Sequence, residues 1–444
     1  MSVTRSAVLR SAVPVSLRAG ARGLATSATN IPVAATVRAP ANENESAPVV
    51  SLTVAARAGS RYQSREGVAH ALKNFAFRST NQRSALRIVR ETELNGGVLS
   101  ASLTPEVLLL TADFLKGDEA HFAALLAEVV GDSKLCRFEF NEDVVPSLAS
   151  DVAEVAQNPI TFGADALLRT AYRGRGIGSS IYANPGTPVT VEEVREFAKG
   201  VYNAGNIAVV GSGISQQALE SLVASSFAAV PAGSAPSAPA SKYYGGDLRA
   251  SPVDAHGHAL PQSHFFVGFE GAPRGNAAPY WLLEAVLGGP SSIKFTNGQT
   301  PLGALSTLIP GVRAQAFNSS FTDTGLFGIH VSAPHAKASE AVKAAIATLD
   351  RVAQGNISDE EVAGAVARAK FAAASSVEGC RETSHVVLGT NLLGGANRTI
   401  DQKLAAIEQV GRSELSTVAG QLLKSKPTTV ALGNVEQLPY GDEL

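Results

Sequence analysis

The chain is poor in the residues that mark several large classes of protein. It has two cysteines, Cys136 and Cys380, about 240 positions apart. That excludes a disulfide scaffold and leaves no C-x-x-C or Cys/His cluster for a metal or redox centre; both thiols are expected to be buried, in a reducing compartment. No run of eighteen uncharged apolar residues occurs, so no membrane span is expected and membrane association has to come through partners. A formal net charge of −2 over 444 residues gives no electrostatic case for nucleic-acid binding. Acidic residues are absent before Glu43, where Arg5, Arg10, Arg18 and Arg22 are interleaved with Ser, Ala, Val and Leu. An Arg-rich, Ser-rich, acid-free segment has the composition of a mitochondrial transit segment, and Arg10 and Arg18 interrupt the apolar core that a secretory signal needs. Residues 1–24 are read as that segment, with processing near Ala25 in Arg22-Gly23-Leu24-Ala25.

Phosphate-binding and nucleophile motifs are missing too. Gly211-Ser212-Gly213 follows a strand-like run, but Gln216 stands where a dinucleotide fingerprint needs its third glycine. No G-x-x-x-x-G-K-[ST] loop and no G-x-S-x-G elbow is found.

What is present is a repeat. Residues 97–130 read as strand, Thr104-Pro105 turn, strand and amphipathic helix; residues 311–349 repeat that order around Asp323-Thr324-Gly325. Asn141 and Ser358 are read as matching helix N-caps, the second within the capping box Ser358-Asp359-Glu360-Glu361. Thr190-Val191-Glu192-Glu193 and Ser413-Glu414-Leu415-Ser416 then open helices that lead into the last strand of each half. Residues 230–241, rich in Pro, Ala, Ser and Gly, read as a loop at the junction. The expected organisation is a transit segment, 1–24, and two homologous domains, 25–245 and 246–444.

One stretch carries the outline of a chemistry. The inverted zinc motif H-x-x-E-H places two imidazoles on one helical face and a general base between them. In Gly67-Val68-Ala69-His70-Ala71-Leu72-Lys73-Asn74, His70 keeps the first ligand position, Lys73 stands at the base and Asn74 at the second ligand. A Lys ammonium has no lone pair with which to take a proton, and its charge repels a metal ion. Asp151 or Glu154 is expected near this vestigial site. His256 and His258 read as exposed loop residues, and His330 and His335 lack a ligand partner at i+4.

Several markers occur in one order: Ala58-Gly59-Ser60-Arg61, the His70 segment, Asn95-Gly96-Gly97, Thr170-Ala171-Tyr172, Val209-Val210-Gly211 and Leu287-Gly288-Gly289-Pro290. In this the chain resembles the insulinase and mitochondrial processing peptidase family over nearly its whole length. The resemblance implies an α+β fold of two homologous domains, each a mostly antiparallel sheet with helices packed on it. With His70, Lys73 and Asn74 as vestigial positions it implies no peptidase activity, no bound metal and no cofactor. Among the silent mitochondrial members it points to a core subunit of respiratory complex III (ubiquinol–cytochrome c reductase). Such a subunit is peripheral to the inner membrane on the matrix side and scaffolds assembly with core protein 1, cytochrome b, cytochrome c1 and the Rieske protein. The alternative implied is the substrate-recognising, non-catalytic subunit of the processing peptidase; in either case a presequence peptide is a candidate occupant of the cleft.

Overall fold

The computed structural model describes residues 25–26, 31–36, 48–252, 258–291, 299–378, 389–393 and 400–444. The expected transit segment 1–24, Cys380, His256 and residues 292–294 of the glycine-bearing turn lie outside them.

Two sheets are built to one plan. The first runs β1-β2-β6-β3-β5-β4, from β1 (Ala25–Thr26), β2 (Pro32–Thr36), β3 (Val49–Ala56), β4 (Val98–Leu103), β5 (Leu108–Leu115) and β6 (Ile207–Ser212). The second runs β7-β11-β8-β10-β9, from β7 (Gly246–Ala250), β8 (Ser263–Gly271), β9 (Arg313–Ser320), β10 (Gly325–Ala333) and β11 (Thr428–Leu432). In both, the last strand lies between two earlier ones, parallel to one (β6 on β2, β11 on β7) and antiparallel to the strand that follows that one in sequence (β3, β8). A hairpin then closes the far edge, β4–β5 in one half and β9–β10 in the other.

Helices cover one face of each sheet. In the first half, Leu72, Phe75, Leu126, Val194 and Leu219 pack on Val54, Leu110 and Val209. In the second, Leu283, Leu305, Leu349 and Leu415 pack on Val267, Ile329 and Ala431. Yet β3 and β8 are buried along almost their whole length on both sides, so each sheet has a second cover. The halves supply it to each other. Leu167 and Ala166 of helix Pro159–Ala171, from the first half, pack with Phe266, Leu326, Val430 and Leu432 on the open face of the second sheet. Leu392 and Leu393, from the second half, pack on Ala55, Leu109 and Val210 of the first. Close approach demands glycine at both crossings: a Cβ on Gly163 would fall 2.1 Å from the Phe266 ring, and one on Gly389 2.7 Å from the Ala55 methyl.

Capping accounts for most of the helix boundaries. Thr190 accepts from the Glu193 amide while the Glu193 carboxylate takes the Thr190 amide, a complete capping box. Ser358 and Glu361 make the same reciprocal pair. Two expected caps are corrected. Asn141 lies inside a helical run that starts at Arg137, with a π turn over Phe140–Val144. Burial of Phe140 in a stack with Phe75 draws the helix upstream of Asn141, and the wider turn just ahead of Pro146 absorbs the amide donor that proline lacks. Ser413 is likewise within helix Arg412–Lys424, whose cap is Gly411. Cys136 is half-buried rather than buried, since it sits at the exposed start of the first of these helices.

Candidate functional site

Helix Val68–Asn74 begins at Gly67, whose left-handed backbone (φ 94°) is pressed against Ala183 and Val189. Spacing of three and four brings His70, Lys73 and Asn74 onto one face. Helix Val145–Gln157 delivers Asp151 to that face. All three side chains then converge on one carboxylate oxygen: His70 Nε2 lies 2.8 Å, Lys73 Nζ 3.0 Å and Asn74 Nδ2 3.3 Å from Asp151 Oδ2. Of the two carboxylates expected nearby, Asp151 is the one in contact.

The proton on His70 follows from its other nitrogen. Nδ1 accepts from the Ala183 backbone N–H at 3.1 Å, so the neutral ring carries its proton on Nε2 and donates it to Asp151. The ring is 2% exposed and lies edge-on to Tyr182, with centroids 5.7 Å apart. Burial is the main influence that lowers its pKa; the Asp151 hydrogen bond raises it and the Lys73 ammonium lowers it again. Burial also opposes ionisation of Asp151, yet the bonds from Lys73, His70 and Asn74, with the ammonium's charge, hold its carboxyl below the ordinary value. A divalent metal does not fit this arrangement. Both imidazole nitrogens are committed, one lone pair to an amide and the other position to a proton, and an ammonium already neutralises the carboxylate. Among the described residues no group of three or more His, Cys, Asp and Glu is placed to hold a metal ion.

Two small clefts, about 200 and 190 Å³, lie at the junction of the halves, and both are lined by Glu106 and Thr390. Neither is lined by His70 or its partners. Around them runs an ionic network absent from the sequence reading. Arg61 forks onto Asp323 at 2.7 and 2.6 Å and reaches Glu106 at 3.2 Å; Arg274 reaches the other Glu106 oxygen at 3.3 Å. The Thr322 amide donates to Glu106 and the Ser241 amide to Asp323, so the network ties the β4–β5 turn, the β9–β10 turn and the junction loop together. Arg61 and Glu106 are only 7% and 6% exposed along their side chains. Tyr172 closes the same seam: its hydroxyl donates to the Gly325 carbonyl (2.9 Å) and meets Thr324 Oγ1 at 2.8 Å. Arg61 and Tyr172 each belong to a marker quoted from the sequence, which was the available signal.

The remaining histidines divide. His258 is exposed, and His335 bridges Ser263 Oγ (2.7 Å) and the Leu260 carbonyl (3.1 Å). His264, passed over in the sequence, stacks on His330 with rings 4° from parallel, and their nitrogens are 3.2 Å apart. Cross-strand pairing of β8 with β10 brings them together, a relation invisible to spacing along one strand.

Residues 39–185 match the model of the insulinase peptidases (family M16), and residues 188–369 that of the peptidase M16 inactive domain. The mitochondrial cytochrome b-c1 complex subunit 2 of Cryptococcus neoformans is 40% identical over 395 residues, 89% of each chain. The subunit of that name from Homo sapiens is 29% identical, over 89% of this chain and 88% of its own. A probable mitochondrial-processing peptidase subunit alpha-2 of Arabidopsis thaliana is 27% identical, over 91% of this chain and 82% of its own. No described helix is long and apolar enough to cross a membrane. Taken with the twice-built sheet and its paired helices, this similarity over most of the chain means that it belongs to the insulinase (M16) family of peptidases, alongside the mitochondrial cytochrome b-c1 complex subunit 2 proteins.

Proposed function

We propose that the chain is a non-catalytic core subunit of mitochondrial respiratory complex III and scaffolds its assembly from the matrix side. The observation that carries this is 40% identity over 89% of both chains to a protein named as subunit 2 of that complex. In this reading core protein 1 is the direct partner, and cytochrome b, cytochrome c1 and the Rieske protein join through the assembled complex. Residues 1–24 direct import, and the halves 25–245 and 246–444 form the mature body. His70, Lys73 and Asn74 are then the relic of a peptidase site in which the Lys73 ammonium supplies the positive charge that a metal once supplied. The committed nitrogens of His70 and the three bonds to Asp151 support that interpretation.

The test is mild detergent extraction of the tagged protein from mitochondria, with mass spectrometry of what co-migrates. Cytochromes b and c1 with a Rieske protein are the expected companions. A soluble two-subunit complex with an intact zinc-motif partner and no cytochrome would overturn the scaffold in favour of a processing-peptidase subunit that recognises presequences.

A further inference from the structure

Cations that have no anionic partner among the described residues gather where the two halves meet, away from the Asp151 cluster. Arg173 follows helix Pro159–Ala171 in a left-handed turn (φ 53°) and lies over the Tyr244 ring, 4.5 Å from its centroid. Lys242 approaches the same ring at 5.5 Å. The Tyr244 amide donates to the Ala171 carbonyl, which pins this segment to the helix end. Gly245 (φ 69°) comes next, so close to Lys426 that a Cβ there would lie 3.0 Å from the lysine stem. Arg175 and Lys424 flank the group in sequence, and all five cations are exposed. Among the described residues none of the five has a carboxylate within ion-pair distance, whereas Arg169, just outside the group, is paired with Glu66. Asp247, the neighbouring acid, takes the Thr429 hydroxyl.

Cations just past a helix C-terminus interact favourably with its dipole. One per helix suffices for that, and it does not account for a tyrosine ring approached by both Arg173 and Lys242. Neither of the two clefts is lined by these residues. Long, flexible, unpaired cations around an amphipathic aromatic ring suit a plane of phosphates at a water–lipid boundary, where each basic residue adds to the attraction and a tyrosine sits at headgroup level.

We propose that Arg173, Lys242 and Lys426, arranged around Tyr244 and flanked by Arg175 and Lys424, form a docking surface for the headgroups of an anionic phospholipid membrane. The surface depends on the chain's own cations and stands whether or not the chain works in complex III.

The test is co-sedimentation of the full chain with vesicles of neutral phosphatidylcholine alone or mixed with an anionic phospholipid. Arg5, Arg10, Arg18 and Arg22 are replaced by Ser throughout, so that the basic N-terminus does not bind on its own account. The parent is expected to bind the anionic vesicles only, and Arg173→Ala/Lys242→Ala/Lys426→Ala to lower its partitioning about a hundredfold with an unchanged melting curve. Undiminished binding by the triple variant overturns the proposal, as does an equal loss in the control Lys116→Ala/Lys199→Ala/Lys343→Ala, whose cations lie elsewhere on the surface. Displacement by inorganic phosphate at low millimolar concentration would indicate a free-anion site instead. Binding to an acidic peptide but to no vesicle would indicate a protein partner, and either result overturns it.

Discussion

Asp151 is the residue on which the candidate site turns. It sits between an imidazole N–H, an ammonium and an amide, and its loss leaves the nearly buried His70 donor without an acceptor. Asp151→Ala is expected to cost about 1–3 kcal/mol, read as a shift in the urea midpoint at constant slope. Millimolar zinc is expected to leave the melting temperature of the unaltered chain where it is; a rise of several degrees would show that the His70 ring can turn and free a lone pair. His330 has a different consequence. Burial, with His264 facing it, pushes its pKa down from 6.5 to about 3. Between those values the folded chain binds fewer protons than the unfolded one, so stability falls as the pH is lowered, by up to about 1.4 kcal/mol per pH unit. Glu284, which burial pushes up from 4.5 to about 7, works with the opposite sign and withdraws stability as the pH rises across its own window. Comparing Tm against pH for the parent and His330→Phe isolates the histidine: as the pH is lowered below 6.5 the variant should gain stability relative to the parent, and parallel curves would remove His330 from the account.

At the scale of elements, the strands and most helices were legible because their periodicity and caps are local. β11 runs over Thr428–Leu432, Thr190 caps its helix and the box at Ser358 is complete, as the sequence suggested. Asn141 misled because a cap residue says only where a helix is able to start. The aromatic stack of Phe75 on Phe140, between segments far apart in sequence, decided where it did start. The two asparagine and threonine positions therefore separate experimentally. Thr190→Ala is expected to cost about 1 kcal/mol, whereas Asn141→Ala should stay within about 0.5 kcal/mol of the parent; equal losses by chemical denaturation would restore Asn141 as a cap. Asp151 could be anticipated from the sequence only as one of two carboxylates, since the count along the chain does not say which side of helix Val145–Gln157 faces His70. The partner of His70 Nδ1, a backbone amide at Ala183, has no side-chain signature and could not be read at all.

At the scale of the molecule, the repeated unit was legible but the exchange of covers between its copies was not. Nothing in the periodicity of residues 159–171 says that their apolar side belongs to the other half's sheet. Because Phe266, Leu326, Val430 and Leu432 are covered by that helix, residues 246–444 expressed alone are expected to aggregate or to bind a hydrophobic dye. The whole chain should unfold in one calorimetric transition, and two resolved transitions would show the halves to be independent. Glu106→Gln removes the charge shared by Arg61 and Arg274 while Asp323 still holds Arg61. The expected result is faster proteolytic cutting within residues 230–241, with the fold retained.

The exchange also sets a timetable for biosynthesis. Ser212 completes the first sheet's strands, but Leu392 and Leu393, which seal its open face, lie far downstream and arrive long after it in a chain that folds N-terminal part first. In a chain that enters the matrix N-terminus first, the Ala55, Leu109 and Val210 face stays bare until nearly all of the polypeptide has arrived, and until then it offers a holding chaperone a defined apolar surface.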